Sequence, residues 1–399
     1  MKNTIVLFVC CLMTAAATAQ QGEVAFVPEK NIRMIGLFKE GLAWASTVNG
    51  DYGYIDTTGK MVIPPQFREV GVFSEGLALV GKPVAGNIRY GYVNRQGRLT
   101  IPCQYEDAHN FSDGRAAVKH KGSWQYIDRQ GKTALGSAFV RIDTINSING
   151  SGVHSSIKAK PLDFHNGRLL VRKGNLYGYT DTSGHWIIPP VYPWANEFSD
   201  GVAVVAGKEK IRDAIAGNDE LAQMYNKLPA GRPEYIFNVI DTTGKLLFAA
   251  DVEGLDDFTD GVAQFRQDDQ WGLMDKKGQV VMKPRFADRP YPVSSGVFFA
   301  QINGKEEGNR DGYLEIFNTA GQPVGKVPLC LPNGHCMYNS HLAFFNGLLA
   351  VEIANKWGFV DTTGKLVIDP VYNEISDFST HAAVRTADGI LKVLRNPVK

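Results

Sequence analysis

Neither charge is in surplus: 42 Lys and Arg stand against 41 Asp and Glu in 399 residues, and no like-charged run exceeds a few residues. The concentrated basic face that phosphate backbones require is missing, which excludes nucleic acid as a partner. The same balance gives no support for docking on an anionic membrane surface. Past the N-terminal segment no apolar stretch is long enough to span a bilayer, so no transmembrane segment is expected. Cysteine is scarce, with five in the chain, and C-x-x-C, H-E-x-x-H, G-x-S-x-G and the P-loop do not occur. His335, Cys336 and His341 form the one histidine cluster, and a closed zinc site would need a fourth ligand. Asp251, Glu253, Asp256, Asp257 and Asp260 crowd one stretch without EF-hand spacing and read as a solvated loop. No catalytic residue, cofactor or metal is therefore expected.

What the chain has is repetition. Tyr52–Phe67 reads as two short strands around a tight turn. Tyr52, Tyr54 and Ile55 suit a half-buried pleated surface. Asp56-Thr57-Thr58-Gly59 is turn chemistry: the Asp side chain accepts from backbone two residues on, and Gly takes positive φ. Met61-Val62-Ile63 returns, and Pro64-Pro65, lacking N–H groups, should stop the strand. Gly53 leaves room for a close neighbour, expected to be an aromatic from the next unit. The Asp/Asn-x-x-Gly turn recurs at Asp56, Asn94, Asp128, Asp181, Asp241, Asp275, Asn318 and Asp361, with glycines spaced by 38, 34, 53, 60, 34, 43 and 43 residues. Eight copies on a base period near 34 mark an array. A second mark, Phe-x-x-Gly, lies between them at Phe38, Phe73, Phe111, Phe164, Phe198, Phe258 and Phe344, each followed by a short apolar run.

Tyr52-Gly53-Tyr54-Ile55-Asp56, Trp271-Gly272-Leu273-Met274-Asp275 and Trp357-Gly358-Phe359-Val360-Asp361 resemble the WG (KWG) repeat family. The resemblance spans Val24 to Val393. It implies a bacterial protein of variable copy number with a scaffold or binding role. Two copies depart from the pattern: Trp124-Gln125-Tyr126 lacks the glycine and its following strand at Ala134-Leu135 lacks prolines, and Tyr313–Phe317 is degenerate.

The expected fold is all-β, a tandem array of about eight three-stranded antiparallel units over residues 20–399. A hairpin alone is marginal in water, so each unit must cover the next. Val24–Pro28 resembles a third strand, whereas Ala382–Arg385 and Ile390–Arg395 resemble a first and second, so one unit is split between the termini. A curved open stack is the favoured architecture, because insertions of irregular length fit it easily. The alternative is a closed propeller-like ring in which the terminal strands pair. Three insertions break the rhythm: 140–161, a Ser/Asn/Gly-rich loop; 208–228, with Ile211, Ala214, Ile215, Leu221, Ala222, Tyr225 and Leu228 at helical spacing; and 326–340. In the last, Cys330 and Cys336 can close a disulfide in an oxidising compartment or remain reduced thiols like Cys103.

Lys2, the apolar run Thr4–Ala16 and Ala17-Thr18-Ala19 form a signal peptide over 1–19; a lipoprotein cut before Cys10 or Cys11 is disfavoured by bulky Phe8 and Val9. The mature chain is thus expected in the periplasm, at the cell surface or outside the cell, as a monomer. Three functions are open. One is a non-catalytic scaffold for a protein partner. The second is a glycan binder that stacks sugars on Tyr52, Tyr90, Trp124, Tyr177, Trp271 and Trp357, provided those rings face solvent rather than the core. The third is a hydrolase assembled from the insertions.

Overall fold

The structure is a computed structural model and describes residues 22–137, 145–148, 154–157, 161–209, 235–302, 313–328 and 343–398. Of its ten antiparallel sheets, nine have three or four strands and one is a two-stranded hairpin. The nine are the blades of a ring. Blades 1 to 8 span residues 32–67, 69–105, 107–135, 169–192, 202–250, 254–286, 297–328 and 348–372; blade 9 joins 374–395 to 24–26. The unit has four strands in blades 1, 2, 3, 6 and 9 rather than three. Elsewhere the inner strand is reduced to bridges such as Ala195–Val205.

Each mark in the sequence has a distinct task. Phe-x-x-Gly is a two-residue hairpin between the inner and second strands. Lys39 and Leu42 exchange backbone hydrogen bonds at 2.9 and 3.0 Å, and Glu40 and Gly41 both have positive φ, +51° and +79°, the signature of a type I′ turn. The Asp/Asn-x-x-Gly turn joins the third and outer strands. Asp56 Oδ1 accepts from the N–H groups of Thr58 at 2.9 Å and Lys60 at 3.1 Å. All eight Asx corners fall at this bend of successive blades.

The prolines do not stop the outer strand. It runs through them, Met61–Phe67, because the register jumps: Tyr54 faces Ile63 while Tyr52 faces Phe67. Pro64 and Pro65 sit in that bulge, where no ladder N–H is needed. The neighbour of Gly53 is this bulge and not an aromatic from the next unit. A Cβ on Gly53 would lie 2.3 Å from the Ile63 carbonyl oxygen.

The ring is closed, which corrects the expectation of an open stack. Val24 pairs with Leu394 and Phe26 with Val393, the Arg395 N–H donates to the Glu23 carbonyl at 2.8 Å, and the N-terminal strand becomes the outer strand of blade 9. An open stack would leave two sheet faces uncovered. Here nine hydrophobic clusters each join two consecutive blades, including blade 9 to blade 1 through Val393, Ala383, Phe38 and Ala45. The Phe of each hairpin fills the interface with the preceding blade: Phe73 packs edge-on against Tyr54 at 4.9 Å, Phe111 against Tyr92 at 4.8 Å and Phe198 against Tyr179 at 4.7 Å. Each such buried ring contributes about 1.5–3 kcal/mol.

Polar links run round the same end. The hairpin Gly N–H has no partner within its own turn, so the preceding hairpin supplies an acceptor. Glu40 accepts from Gly76, Glu75 from Gly114, Asp113 from Gly167, Asn166 from Gly201, Asp200 from Gly261, Asp260 from Gly296 and Ser295 from Gly347, at 2.6–3.2 Å. The Phe38 N–H donates to Ser379 Oγ at 3.1 Å and continues the girdle from blade 9 to blade 1.

The insertions differ in part from expectation. Within 140–161, Ile145–Ile148 and His154–Ile157 pair as a hairpin rather than forming loop throughout. Lys208 and Glu209, expected to open a helix, end the strand Val202–Glu209; the rest of that helix lies outside the described residues, among which there is no α-helix. Cys330, Cys336 and residues 1–19, expected to be a signal peptide, also lie outside them.

Candidate functional site

The two residues before each hairpin Phe sit on the inner edge of a blade, and they do not repeat. Blades 1 and 2 carry Gly36-Leu37 and Gly71-Val72; blades 3 to 6 carry His109-Asn110, Leu162-Asp163, Asn196-Glu197 and Asp256-Asp257. The backbone holds the first residue of each pair in an equivalent place. Gly36, His109, Asn196 and Asp256 donate their N–H groups to Trp44, Ala117, Val204 and Gln264 at 2.9–3.0 Å. A tyrosine of the preceding blade pins the same residue from the other side. Tyr54, Tyr92, Tyr126 and Tyr179 donate their hydroxyls to the carbonyls of Gly71, His109, Leu162 and Asn196 at 2.6–2.8 Å. Burial raises all four phenols above their ordinary range, so they stay protonated donors.

Four consecutive blades thus present a polar arc, linked across their interfaces. His109 Nδ1 lies 2.8 Å from Asp163 Oδ1, between blades 3 and 4. Asn196 Nδ2 donates to Asp257 at 2.7 Å, between blades 5 and 6. Arg289 of blade 7 donates to Asp256 at 2.7 Å. Of the five clustered carboxylates only Asp256 is half-buried; Asp251, Glu253, Asp257 and Asp260 are exposed, as a solvated stretch would have them. Burial, the largest influence, pushes Asp256 and Asp257 above the usual carboxylate range, although Arg289 and Asn196 pull the other way. A cleft of about 270 Å³ opens here, walled by Leu255, Val262, Pro292 and Val293 and edged by the two aspartates and Arg289.

Gln264 completes the cleft. Blade 6 has Leu273 where blades 1 to 4 have the pinning tyrosine. Gln264, directly opposite Leu273, replaces the missing hydroxyl: its Nε2 donates to the Tyr291 carbonyl of blade 7 at 2.7 Å. That bond fixes which way the carboxamide points.

The repeated aromatics are placed otherwise. Trp124 is buried, and Tyr52, Tyr90, Tyr177, Trp271 and Trp357 are half-buried. Five of them face an outer-strand aromatic: Tyr52–Phe67, Tyr90–Tyr105, Tyr177–Tyr192, Trp271–Phe286 and Trp357–Tyr372. They flank the inter-blade clusters one to a blade and are not gathered at one place. Among the described residues, no three metal-ligating side chains converge, and no helix is long and apolar enough to cross a membrane. The arc escaped sequence reasoning because its partners are far apart in the chain; His109 and Asp163 are 54 residues apart. Aligning the residues just before each Phe-x-x-Gly would have exposed it.

A family model described as WG containing repeat matches residues 52–82, 90–124, 177–206, 239–271, 271–305 and 357–380. Similar solved structures include the computationally designed Ika8 protein, 12% identical over 95% of this chain and 98% of that one at a TM-score of 0.36. BamB from Moraxella catarrhalis is 11% identical over 91% and 96% at 0.33. A eukaryotic initiation factor is 12% identical over 92% and 91% at 0.42. Scores this low carry nothing further about this chain. Comparison with curated proteins gives no match.

Proposed function

The chain belongs to the WG-repeat proteins, and from that premise we propose that it is a non-catalytic binding scaffold. The observation that carries this reading is the division of labour among polar groups. Those that recur, the Asx carboxylates and hairpin acceptors, are consumed by turns and inter-blade links. Those that do not recur gather on the inner edges of blades 3 to 6, beside an open cleft. Folding needs the first set in every blade and makes no such demand on the second.

The proposed location is outside the cytoplasm, in the periplasm or at the cell surface. It is supported by the basic, apolar and small-residue succession Lys2, Thr4–Ala16 and Ala17-Thr18-Ala19. The experiment is a screen of the purified chain on peptide and glycan arrays, with hydrolysis of the same ligands followed in parallel. Saturable binding without turnover is expected. Turnover of any of these ligands, or a chain inert on every array, overturns the reading.

A further inference from the structure

We propose that the cleft between blades 6 and 7 receives a primary ammonium, the side chain of a lysine carried by a protein or peptide partner. This rests on the binding reading above and names the chemistry that binding would recognise.

Three observations converge. The first is an unused acceptor. Gln264 is only 4% exposed and lines the cleft. Its Nε2 is committed to the Tyr291 carbonyl at 2.7 Å, so flipping the amide would set oxygen against oxygen. Its Oε1 is buried and has no partner among the described residues. Buried polar atoms are normally satisfied, and an orphan calls for a donor. The second is charge. Asp256 and Gln264 are cross-strand neighbours, with the Asp256 N–H donating to the Gln264 carbonyl at 2.9 Å. Asp256 and Asp257 bring two negative charges against the single guanidinium of Arg289. Burial raises both carboxyls, so their ionised forms are under-compensated and a cation would restore the balance.

The third is shape. About 270 Å³ with walls of Leu255, Val262, Pro292 and Val293 suits a methylene stem with a charged tip. An ammonium supplies three N–H donors and no acceptor, which answers a site rich in acceptors. A saccharide would donate hydroxyls but leave the excess negative charge unbalanced.

The test uses the full chain and two small probes, N-acetyl-lysine methylamide and its ε-N-acetylated counterpart, titrated calorimetrically at neutral pH beside maltose. The charged probe should bind at least tenfold more tightly than the acetylated one, and maltose should not compete. Asp257→Asn should weaken the charged probe severalfold and leave the acetylated one unaffected. Equal affinity of the two lysine probes on the unaltered chain, no binding of the charged probe at millimolar concentration, or displacement by maltose overturns the proposal. The probe ratio on the unaltered chain needs no variant to fold. An array ligand that binds but is not displaced by the charged lysine probe would remove this inference and leave the scaffold reading standing.

Discussion

Blades 1, 2, 4, 6 and 8 place a glycine opposite a proline-bearing bulge, whereas blades 3, 5 and 7 have neither. In the first group a Cβ on Gly53, Gly91, Gly178, Gly272 or Gly358 would lie 2.3–2.7 Å from a carbonyl oxygen of the outer strand. The corresponding residues of the second group are Gln125, Asn238 and Glu315. In blades 5 and 7 the ladder keeps its register past this position, as in Phe237–Ala250, Asn238–Ala249 and Val239–Phe248, or Glu315–Lys326 and Ile316–Gly325, and shifts only once, beside the Asx turn. In blade 3 the outer strand is only Thr133–Leu135. The mid-strand proline and the glycine occur together because they solve one problem; the prolines of blade 7, Pro323 and Pro328, stand at the two ends of its outer strand. Proline lets the outer strand bulge without wasting an N–H, and glycine gives the bulge somewhere to go. The departure at Glu315 is thus a blade that lacks the second bulge, and the one at Gln125 a blade whose outer strand does not reach that position.

Exchanging residues between the groups tests this. Gly53→Ala or Gly178→Ala forces a Cβ into backbone and should cost about 1–3 kcal/mol, measured by urea unfolding. Gln125→Ala and Asn238→Ala should stay within about 0.5 kcal/mol. Equal losses in both groups would break the comparison. The tyrosine hydroxyl should ignore the distinction. Tyr179→Phe in a bulged blade and Tyr126→Phe in blade 3 each remove a bond to the next blade at 2.6 Å, and each should lower stability by about 1 kcal/mol. Gln125→Gly, which gives blade 3 a glycine with no bulge to clear, should cost about 0.5–1 kcal/mol through backbone entropy.

The smallest effect concerns acid. The Thr243 hydroxyl and N–H hold the Asp241 carboxyl below its ordinary range in blade 5. In bulged blade 4, slight burial pushes Asp181 up, but the N–H groups of His185 and Ser183 outweigh it and the net shift is also downward. Both carboxyls therefore stabilise the fold above the ordinary Asp value, and that contribution fades as pH falls through the lowered folded value. The Tm gap between the unaltered chain and Asp241→Ala should narrow below about pH 4, and the Asp181→Ala gap should narrow with it. Asp256 and Asp257 act in the opposite sense. Raised by burial, they favour the fold below the ordinary value and lose that contribution as pH rises through the raised one.

The repeat was legible because its marks are short and local. Each Asx turn closes within four residues. The eight Asx corners fell one short of nine blades because blade 9 takes its outer strand from the other end of the chain and has no such corner. The seven Phe-x-x-Gly marks fell two short because two hairpins depart from that pattern. Blade 7 has Val293-Ser294-Ser295-Gly296 and blade 9 has Phe378-Ser379-Thr380-His381, each breaking Phe-x-x-Gly at one end. Blade 9 is also split between the termini. The candidate site was not legible. Asn196 and Asp257 are 61 residues apart, Asp256 and Arg289 are 33 apart, and none of them belongs to the repeat. Asp256 and Asp257 looked like unpaired acids because nothing local reveals that Arg289 and Asn196, from neighbouring blades, donate to them.

By itself the amino-acid order determined the blade: alternating apolar strands, two kinds of turn, and the Phe that plugs every interface but that of blades 6 and 7, where Val293 stands, all set by contacts inside one repeat or with the next. Only the tertiary structure decided that nine such blades close on themselves. The bend between neighbours is small and set by how their faces interlock, and it accumulates until Val24–Phe26 meets Leu391–Arg395. That same closure aligns the inner edges of blades 3 to 7 and makes one cleft from residues that the chain keeps apart.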